Sequence, residues 1–493
     1  MQRKHFLTSG LAATTALLLA ACTSTPLPPH VSAGDTLQRA DRAMGGAGLK
    51  TLRYTASGTG AIFGQAHQPG MAWPRVNVSS LVRLHDYDNA AYRQDQAISR
   101  AEPNGGGAVP LMGQGEQRSV GMLMGASAWN MVGPAPVASP VALDQRIHDL
   151  WISPHGIIKA ALKNQSSANS RSVDGQSYTA VSFTQPGRFM ATAFINGQGL
   201  VERVESRVPN PVMGDTDVVT QYSDYKDFSG VKFPSRIRQS QGGASVLDVQ
   251  VSEVQVNPPV DIAVPELVRV ATERAVAEKA ADGVWFIGGG SHNSVAIEMK
   301  DHTMLVESPL YDGRAAAVLA EVKRVIPGKP IRYVVNSHHH FDHSGGLRTA
   351  VADGATVVSS AKAKPFFERA LTNPNRINPD LLAKSGAAVK VEAVDGKRIF
   401  SDGTRNVELY LIGQSVHADG FLMVHLPKEK LLIQADAYTP LPPNTAPPAT
   451  PNANHVNLIS NIEGLKLGVE RILPLHGRIV PLSELYTTAG RRL

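Results

Sequence analysis

The 493-residue chain contains a single cysteine, Cys22, and therefore has no intramolecular disulfide. Its formal charge of +6 is spread along the sequence, without a Lys/Arg-rich tract or a basic and aromatic face. These absences exclude a disulfide scaffold and argue against a nucleic-acid partner. With 42% hydrophobic and 18% charged residues the composition is that of a globular protein, and the length favours at least two domains.

The lone cysteine ends a segment typical of secreted bacterial proteins. Residues 1–22 begin with Arg3 and Lys4, continue with an apolar run too short for a transmembrane anchor, and end in small residues before Cys22. The stretch Leu19-Ala20-Ala21-Cys22 resembles a lipobox, which implies cleavage before Cys22 and lipidation of its thiol. We therefore expect a periplasmic protein with a membrane anchor and a tether over residues 23–33. Thr23, by resemblance to lipoproteins, favours the outer membrane. The alternative is an ordinary signal peptide with an incidental cysteine.

Residues 34–264 carry strand signals and no obvious chemistry. Asn196-Gly197 separates two runs rich in β-formers and predicts a hairpin, while apolar residues alternate with polar ones around Val249. Residues 141–151 instead have helical spacing. We predict a mainly antiparallel β domain with one or two helices, similar in outline to periplasmic lipoprotein-carrier domains.

A different pattern follows. Residues 265–283 are rich in helix formers and predict a linker helix that ends at Gly283. Residues 284–493 begin with short β-rich runs and continue with alternating helix and strand signals. This order predicts an α/β domain in which helices cover a sandwich of sheets.

The most specific signal is the loop NSHHHFDHSGG, residues 336–346, which follows the predicted strand IRYVV. Side chains two apart in extended chain face the same side, so His338 and His340 are suited to one metal ion. Asp342 and His343 lie beyond a turn and are suited to a second ion. Six adjacent residues cannot surround two ions, so further ligands must come from elsewhere.

Three residues downstream are candidates for those ligands, because each follows a predicted strand. They are His417 after VELYLIG, Asp436 after KLLIQA, and His476 after RILPL. A histidine-rich surface patch would not place these residues so regularly. The sequence therefore predicts a catalytic metal centre that leaves room for water.

In this order and spacing the motifs resemble those of the metallo-β-lactamase-fold superfamily, whose fold is an αββα sandwich. The resemblance covers roughly residues 280–485. It implies that one metal is held by His338, His340 and His417, the second by Asp342, His343 and His476, and that Asp436 bridges them. Two positions depart from the common pattern: Ala435 precedes Asp436, and Glu307 replaces an aspartate at the end of a strand. We expect Glu307 to support the loops without binding metal.

The implied chemistry is hydrolysis by a hydroxide that bridges two Zn²⁺ ions, although the nitrogen and carboxylate ligands also suit iron or manganese. The site has no cysteine, which by resemblance favours the broader hydrolase branch over true β-lactamases. We expect a small-molecule ester, lactone, thioester, sulfate ester or phosphodiester as substrate. Asp342 and Tyr438 are the predicted catalytic residues, with Tyr438 either donating to an oxyanion or merely packing beside the loop.

Specificity is expected from loops around the metals, above all the proline-rich residues 439–455. His292 and Asn293 follow a glycine run and either line the pocket or form a hairpin turn. Two other functions stay open. By resemblance to persulfide dioxygenases the centre holds a single iron and the enzyme is an oxidoreductase. Alternatively, the N-terminal domain is the functional part, as a carrier or docking module for lipid or a partner protein.

Overall fold

The computed structural model describes residues 32–101 and 115–493. The predicted signal peptide and Cys22 lie outside the described residues. Within them the chain forms an antiparallel β domain followed by an α/β domain. Across these two described stretches, none of the helices has both the length and the apolar character needed to cross a bilayer.

Thirteen strands form one sheet in the N-terminal domain, and every neighbouring pair is antiparallel. The strands are β1 (Thr51–Ala61), β2 (Arg75–Asp86), β3 (Ala91–Arg100), β4 (Gln117–Met124), β5 (Ser127–Val132), β6 (Ala135–Ala138), β7 (Ser166–Val173), β8 (Gln176–Gln185), β9 (Phe189–Ile195), β10 (Val201–Asn210), β11 (Gly214–Phe228), β12 (Val231–Gln241) and β13 (Ala244–Val256). The first and last strands pair in the middle of the sheet, and β6 and β7 form its edges.

Three α-helices accompany this sheet: α1 (Ala33–Ala43), α2 (Leu143–Trp151) and α3 (Pro154–Lys163), with a 3-10 turn at Pro140–Ala142. Helix α2 contacts β3 and β4 in one half of the sheet and β10 in the other, so the sheet curves around it. The burial of Leu150 and Ile157 on the inner faces of α2 and α3 provides the apolar contact for this curvature. The predicted antiparallel β domain is confirmed, as is the hairpin at Asn196-Gly197 between β9 and β10.

The C-terminal domain contains two sheets. The first has the order β14 to β20, antiparallel up to β17 and parallel from there. Its elements and the short helix before them are α4 (Glu266–Arg269), β14 (Val276–Ala281), β15 (Val284–Gly288), β16 (Ser294–Glu298), β17 (Thr303–Val306), α5 (Asp312–Val325), β18 (Ile331–Val335), α6 (Phe341–Ser344), α7 (Leu347–Ala352), β19 (Thr356–Ser360), α8 (Lys364–Thr372), α9 (Leu381–Ser385) and β20 (Val391–Val394).

The second sheet runs from β21 to β26 in sequence order, with one parallel pair, β24 and β25. Its elements are β21 (Lys397–Ser401), β22 (Asn406–Leu411), β23 (Leu422–Leu426), β24 (Leu431–Gln434), α10 (Ala453–Gly464), β25 (Arg471–Pro474), β26 (Val480–Pro481) and α11 (Leu482–Thr488).

Alternation along the strands separates the layers of this domain. In β17, Met304 and Val306 pack in the core shared with the second sheet, whereas Leu305 packs in the core beneath the helices with Val318 of α5. Helices α10 and α11 contribute Leu458 and other apolar residues to the shared core from the opposite side. The order of layers is helix, sheet, sheet, helix, which confirms the predicted αββα sandwich.

The predicted linker helix over residues 265–283 is wrong beyond its first turn. Helix α4 ends at Arg269, and Val276–Ala281 instead forms the edge strand β14, paired with β15. The connecting turn contains Asp282-Gly283, with Gly283 at φ +66°, a conformation that favours glycine. Edge pairing and the Asp-Gly turn outweigh the helix propensity of the alanine- and glutamate-rich segment.

Within the described residues the two domains are in direct contact at several places, two of which involve loops of the N-terminal sheet. At the β10–β11 hairpin, the backbone N–H of Asp215 donates to Pro374 O over 2.8 Å, and Asn373 Nδ2 donates to Met213 O over 3.0 Å. The second contact is made by residues 62–74, which connect β1 to β2 and are called the β1–β2 loop below. This loop reaches the histidine-rich segment after β18.

Candidate metal centre

The histidine-rich segment leaves the carboxyl end of β18 at the junction of the two sheets. Its start is fixed by hydrogen bonds from Asn336 N to Val358 O (2.9 Å) and from Ser337 N to Glu307 Oε1 (2.5 Å). After a bend at Ser337 the chain reaches His340, which has extended backbone angles, and then turns into α6, which contains Asp342 and His343. This change of direction separates the two halves of the motif, as the spacing predicted.

The glycines that end the segment are explained by close packing. A Cβ atom on Gly345 would lie 1.8 Å from Leu310 O, and one on Gly346 would lie 2.8 Å from Ser308 O. A larger residue at either position would push α6 away from the loop that follows β17. The two glycines therefore hold Asp342 and His343 in place.

The first group of potential ligands comprises His338, His340, His417 and Asp436, whose ligand atoms all lie within 4.8 Å of one another. His338 Nε2 lies 2.9 Å from His340 Nδ1 and 3.0 Å from His417 Nε2. Two ligands of one tetrahedral zinc are separated by about 3.3 Å when Zn–N is about 2.0–2.1 Å. All four side chains are buried. The three nitrogens therefore have the spacing of ligands around one ion.

The second group comprises His292, Asp342, His343 and His476, again within 4.8 Å of one another. His476 Nε2 lies 3.2 Å from His343 Nε2, and His292 Nε2 lies 3.1 Å from Asp342 Oδ2. Asp342 Oδ2 is also 3.6 Å from His343 Nε2. These atoms could hold a second metal ion.

The Asp436 carboxylate joins the two groups. Its Oδ2 lies 3.0 Å from His417 Nε2 in the first group, and its Oδ1 lies 2.9 Å from His476 Nε2 in the second. Asp436 is only 7% exposed, and Oδ1 makes no hydrogen bond of acceptable geometry despite these short distances. A buried carboxylate oxygen in this position is accounted for by metal ligation. The structure thus brings all seven predicted ligands together, with Asp436 between the groups.

Electrostatics favours a cation at this place. Burial, and then the neighbouring histidines, lower the pKa values of His338 and His340 well below the usual range, so these imidazoles are neutral and keep a lone pair for a metal. Burial opposes ionisation of Asp436, but nearby His343 and His417 hold the pKa of its carboxyl well below its usual range. Neutral nitrogens and an ionised carboxylate are the forms that bind divalent ions.

Glu307 supports the loops, as expected from its position after β17. It is fully buried, and its Oε2 accepts a hydrogen bond from His343 Nδ1 over 3.1 Å while Oε1 accepts from Ser337 N. The hydrogen bond on Nδ1 leaves Nε2 of His343 free to face the second group. Glu307 adopts φ +68°, a strained conformation for a residue with a side chain, and this strain is typical of functional sites.

His292 contributes more than the sequence indicated. The structure shows both alternatives for this residue: His292 lies in the turn between the antiparallel strands β15 and β16, is 8% exposed, and its ring belongs to the second group. Adjacent Asn293 ties this loop to the one that carries His476, because its Nδ2 donates to Gly477 O over 2.9 Å. The available signal was a histidine in a glycine-rich turn between two buried strands.

The structure brings Tyr438 into neither group. Its side chain is fully buried, its ring contacts His455, and its hydroxyl lies 3.5 Å from Glu484 Oε1 in α11. Burial raises the pKa of Tyr438 to about 12. These contacts are those of the packing alternative, and the oxyanion role stays a prediction. The proline-rich residues 439–455 run beside the His476 loop, where Arg478 Nη2 donates to Leu441 O over 3.3 Å.

The sequence model of the metallo-beta-lactamase superfamily matches residues 287–465. Residues 287–465 therefore match the metallo-β-lactamase superfamily, and the C-terminal domain has the fold of that superfamily together with two His/Asp groups that could hold metal ions. No curated protein matches the chain.

Several solved structures are similar to this domain. A metallo-beta-lactamase from Pontibacter korlensis is 17% identical, with a TM-score of 0.34, over 44% of this chain and 98% of that chain. The metallo-beta-lactamase FIM-1 from Pseudomonas aeruginosa, in its mono-zinc form, is 17% identical, with a TM-score of 0.33, over 44% of this chain and 95% of that chain. Rubredoxin oxygen:oxidoreductase from Desulfovibrio gigas is 20% identical, with a TM-score of 0.34, over 41% of this chain and 57% of that chain. Identities this low do not extend to activity.

Proposed function

We propose that this protein is a hydrolase that depends on two divalent metal ions, with zinc as the expected metal. The observation that carries the proposal is the Asp436 carboxylate, which presents one oxygen to each of two imidazole groups. The second set of convergent imidazoles, from His343 and His476, favours two ions over one. The ligand set of nitrogen and carboxylate atoms suits zinc and excludes neither iron nor manganese.

A bound pair of dications supplies an activated water molecule near neutral pH and polarises an oxygen of the substrate. The residues of the chain provide the framework for this chemistry. The imidazoles of His338, His340 and His417 carry no negative charge, so the negative charge of the ligand set comes only from Asp342 and Asp436. Two carboxylates against two dications leave a net positive centre, which favours the anionic oxygen that develops when an ester-like bond is attacked.

The direct test combines metal analysis with a substrate screen. Purified protein is expected to contain about two zinc ions per chain, and to hydrolyse at least one compound from a panel of esters, lactones, thioesters, sulfate esters and phosphodiesters. Chelation should abolish this activity and zinc should restore it. One iron per chain together with a redox activity would contradict the hydrolase and support the alternative, a mononuclear-iron oxidoreductase. Hydrolysis that persists after complete metal removal would contradict both.

We propose in addition that the mature protein is anchored by lipid at Cys22 and works in the periplasm, at the outer membrane. The lipobox-like stretch before Cys22 and the following Thr23 support this location. In a bacterial host, Cys22→Ala should move the protein from the membrane fraction to the soluble fraction and abolish labelling with a radioactive fatty acid. Ser24→Ala is the matched control and should change neither property. Unchanged fractionation of Cys22→Ala would contradict the anchor.

A further inference from the structure

The β1–β2 loop of the N-terminal domain contacts four successive residues of the histidine-rich segment, His339 to Asp342. Phe341 N donates to Gly64 O over 3.2 Å, and the Phe341 ring packs against Phe63 and Trp73, with its centroid 5.2 Å and 5.7 Å from theirs. Both rings meet Phe341 edge to face, which is a favoured arrangement for aromatic packing. This apolar contact anchors the loop at the residue between two predicted ligands, His340 and Asp342.

A polar contact follows on the first-group side of Phe341. Ala66 O accepts hydrogen bonds from His340 Nε2 over 3.0 Å and from His339 Nε2 over 2.8 Å. A carbonyl oxygen can only accept, so the ring proton of His340 must be on Nε2. Its Nδ1, which lies 2.9 Å from His338 Nε2, then keeps the lone pair that a metal requires.

A second polar contact lies on the other side of Phe341. Gln65 Nε2 donates to Asp342 Oδ1 over 2.8 Å, whereas Asp342 Oδ2 faces His292 and His343 in the second group. The carboxamide therefore holds the oxygen that points away from the second group and directs the other oxygen into it. Without this donor the carboxylate could rotate about its side-chain torsions.

We propose that the β1–β2 loop is a structural part of the metal centre, with Gln65 and the Ala66 carbonyl as positioning groups for one ligand in each metal group. The N-terminal domain is then required for tight metal binding and is more than a neighbouring carrier or docking module. This proposal rests on the proposed dinuclear centre, because it concerns residues that orient its ligands. A loop that merely docked would need Phe63, Trp73 and Phe341, but not a hydrogen bond to a ligand of each group.

The first test concerns the second metal group and measures metal binding, not turnover. Cobalt titration of metal-free, full-length protein reports both sites through ligand-field absorption, and competition with a chelator gives the affinities. Gln65→Ala should weaken one of the two sites by about tenfold, the lower end of the range for contacts that orient a ligand. Gln65→Glu, which has the same shape but places a carboxylate beside Asp342, should weaken it further. The control is Gln68→Ala in the same loop. Gln68 donates to Asp419, which is not a predicted ligand, so this variant should bind both ions normally.

The second test concerns the Ala66 carbonyl, which a side-chain replacement does not remove. A Cβ atom on Gly64 would lie 2.5 Å from Cγ of Phe341, so Gly64→Ala should push the loop away and weaken the His340 site by about tenfold or more. Gly70→Ala is the matched control, because Gly70 has a similar φ of +82° against +84° and no neighbour within 4 Å of its Cβ position. The control should bind both ions with affinities within about twofold of the unaltered protein.

The outcomes separate this inference from the proposed function. If the unaltered protein binds two cobalt ions and the Gln65 and Gly64 variants bind them with the same affinities and spectra, the loop is not part of the centre and the inference fails alone. If the unaltered protein binds fewer than two ions, the dinuclear centre fails and this inference with it. A loss confined to one site in each variant, with both controls normal, supports the inference.

Discussion

Each domain holds a cluster of polar side chains that are buried or nearly buried, and the charges of the two clusters are balanced in different ways. In the N-terminal β domain, Arg83 and Asp149 lie 4.0 Å apart, and Arg83 Nε also donates to Gln94 Oε1 over 2.8 Å. Burial opposes the charge of Asp149, but the Arg83 guanidinium lowers the pKa of that carboxyl. In the C-terminal domain, imidazole nitrogens of His338, His340 and His417 face one another at about 3 Å.

The difference shows how a structural cluster is told from a ligand site. A buried cation beside a buried anion satisfies both groups, and such a pair has no need of an external ion. Imidazole nitrogens that converge at about 3 Å cannot all satisfy one another, because a proton shared between two of them leaves the third without a partner. The first arrangement therefore predicts an effect on stability, and the second an effect on metal binding and turnover.

The largest expected effect comes from removing a ligand. His340→Ala or Asp436→Ala should lower kcat/KM by at least about a thousandfold, which corresponds to about 4 kcal/mol of barrier, because each change opens a ligand position. Circular dichroism should remain close to that of the unaltered protein, since both residues lie at the ends of loops.

A buried histidine outside both groups provides the matched control. His425 lies in β23, with Nε2 3.2 Å from Gly468 O and Nδ1 3.3 Å from Glu408 Oε2. His425→Ala should lower stability and leave kcat/KM within about threefold of the original value when assayed below the unfolding temperature. Equal losses of kcat/KM in His425→Ala and His340→Ala would mean that both histidines act on activity through the stability of the domain.

The reverse effect is expected in the N-terminal domain. Asp149→Asn removes the negative partner of Arg83 and should destabilise the folded protein by about 2 kcal/mol, because it leaves a nearly buried guanidinium without its ion pair. Denaturant unfolding measures this loss, and cobalt titration should show both metal sites intact under native conditions. Loss of metal binding without loss of stability would remove the distinction between the two clusters.

Acidification tests the same distinction through His155. Burial lowers the pKa of His155 to about 4, whereas an unfolded histidine titrates near 6.5. The unfolded chain then takes up a proton first as the pH falls. The contribution of His155 to the free energy of unfolding is therefore fully present above about pH 6.5 and is lost between about pH 6.5 and 4. The total loss is up to about 3 kcal/mol, with no further change below about pH 4.

His155→Gln should abolish this part of the pH dependence, because glutamine does not titrate but can still donate to Met44 O as His155 Nε2 does. The measurement is the urea midpoint of metal-free protein at several pH values. The difference in slope between the two proteins isolates His155 from the other buried histidines. Parallel curves for the variant and the unaltered protein would show that His155 titrates normally.

Much of this centre was readable in the sequence, because its information is local. Four predicted ligands fall within six residues after one strand, and His417, Asp436 and His476 each follow another strand of the same domain. The sandwich and the antiparallel β domain were predictable from alternation and turn residues for the same reason. The linker helix was not, since the pairing of Val276–Ala281 with β15 depends on a tertiary edge that propensity does not describe.

The contribution of the β1–β2 loop had no signal in the sequence. Gln65 and Ala66 are separated from Asp342 and His340 by more than 270 residues. Both contact a predicted ligand through a hydrogen bond and not a metal, so neither has the residue type that a search for ligands would find. Which loop of one domain meets which loop of another is set by the packing of whole sheets. Such contacts are visible only when the fold is known.

His292 offers the finest test of the comparison, because it resembles both kinds of buried histidine. Its Nδ1 lies 2.9 Å from Ser291 Oγ, as in a hydrogen-bonded structural histidine, while its Nε2 belongs to the second metal group. We expect His292→Ala to weaken the second site by about tenfold, and to leave the first site unchanged, because His292 both faces that site and contacts Asp342. Competition with a chelator in the cobalt form resolves the two affinities. If both affinities are unchanged, His292 belongs with His155 as a packing residue, and the second group is reduced to Asp342, His343 and His476 with the shared Asp436.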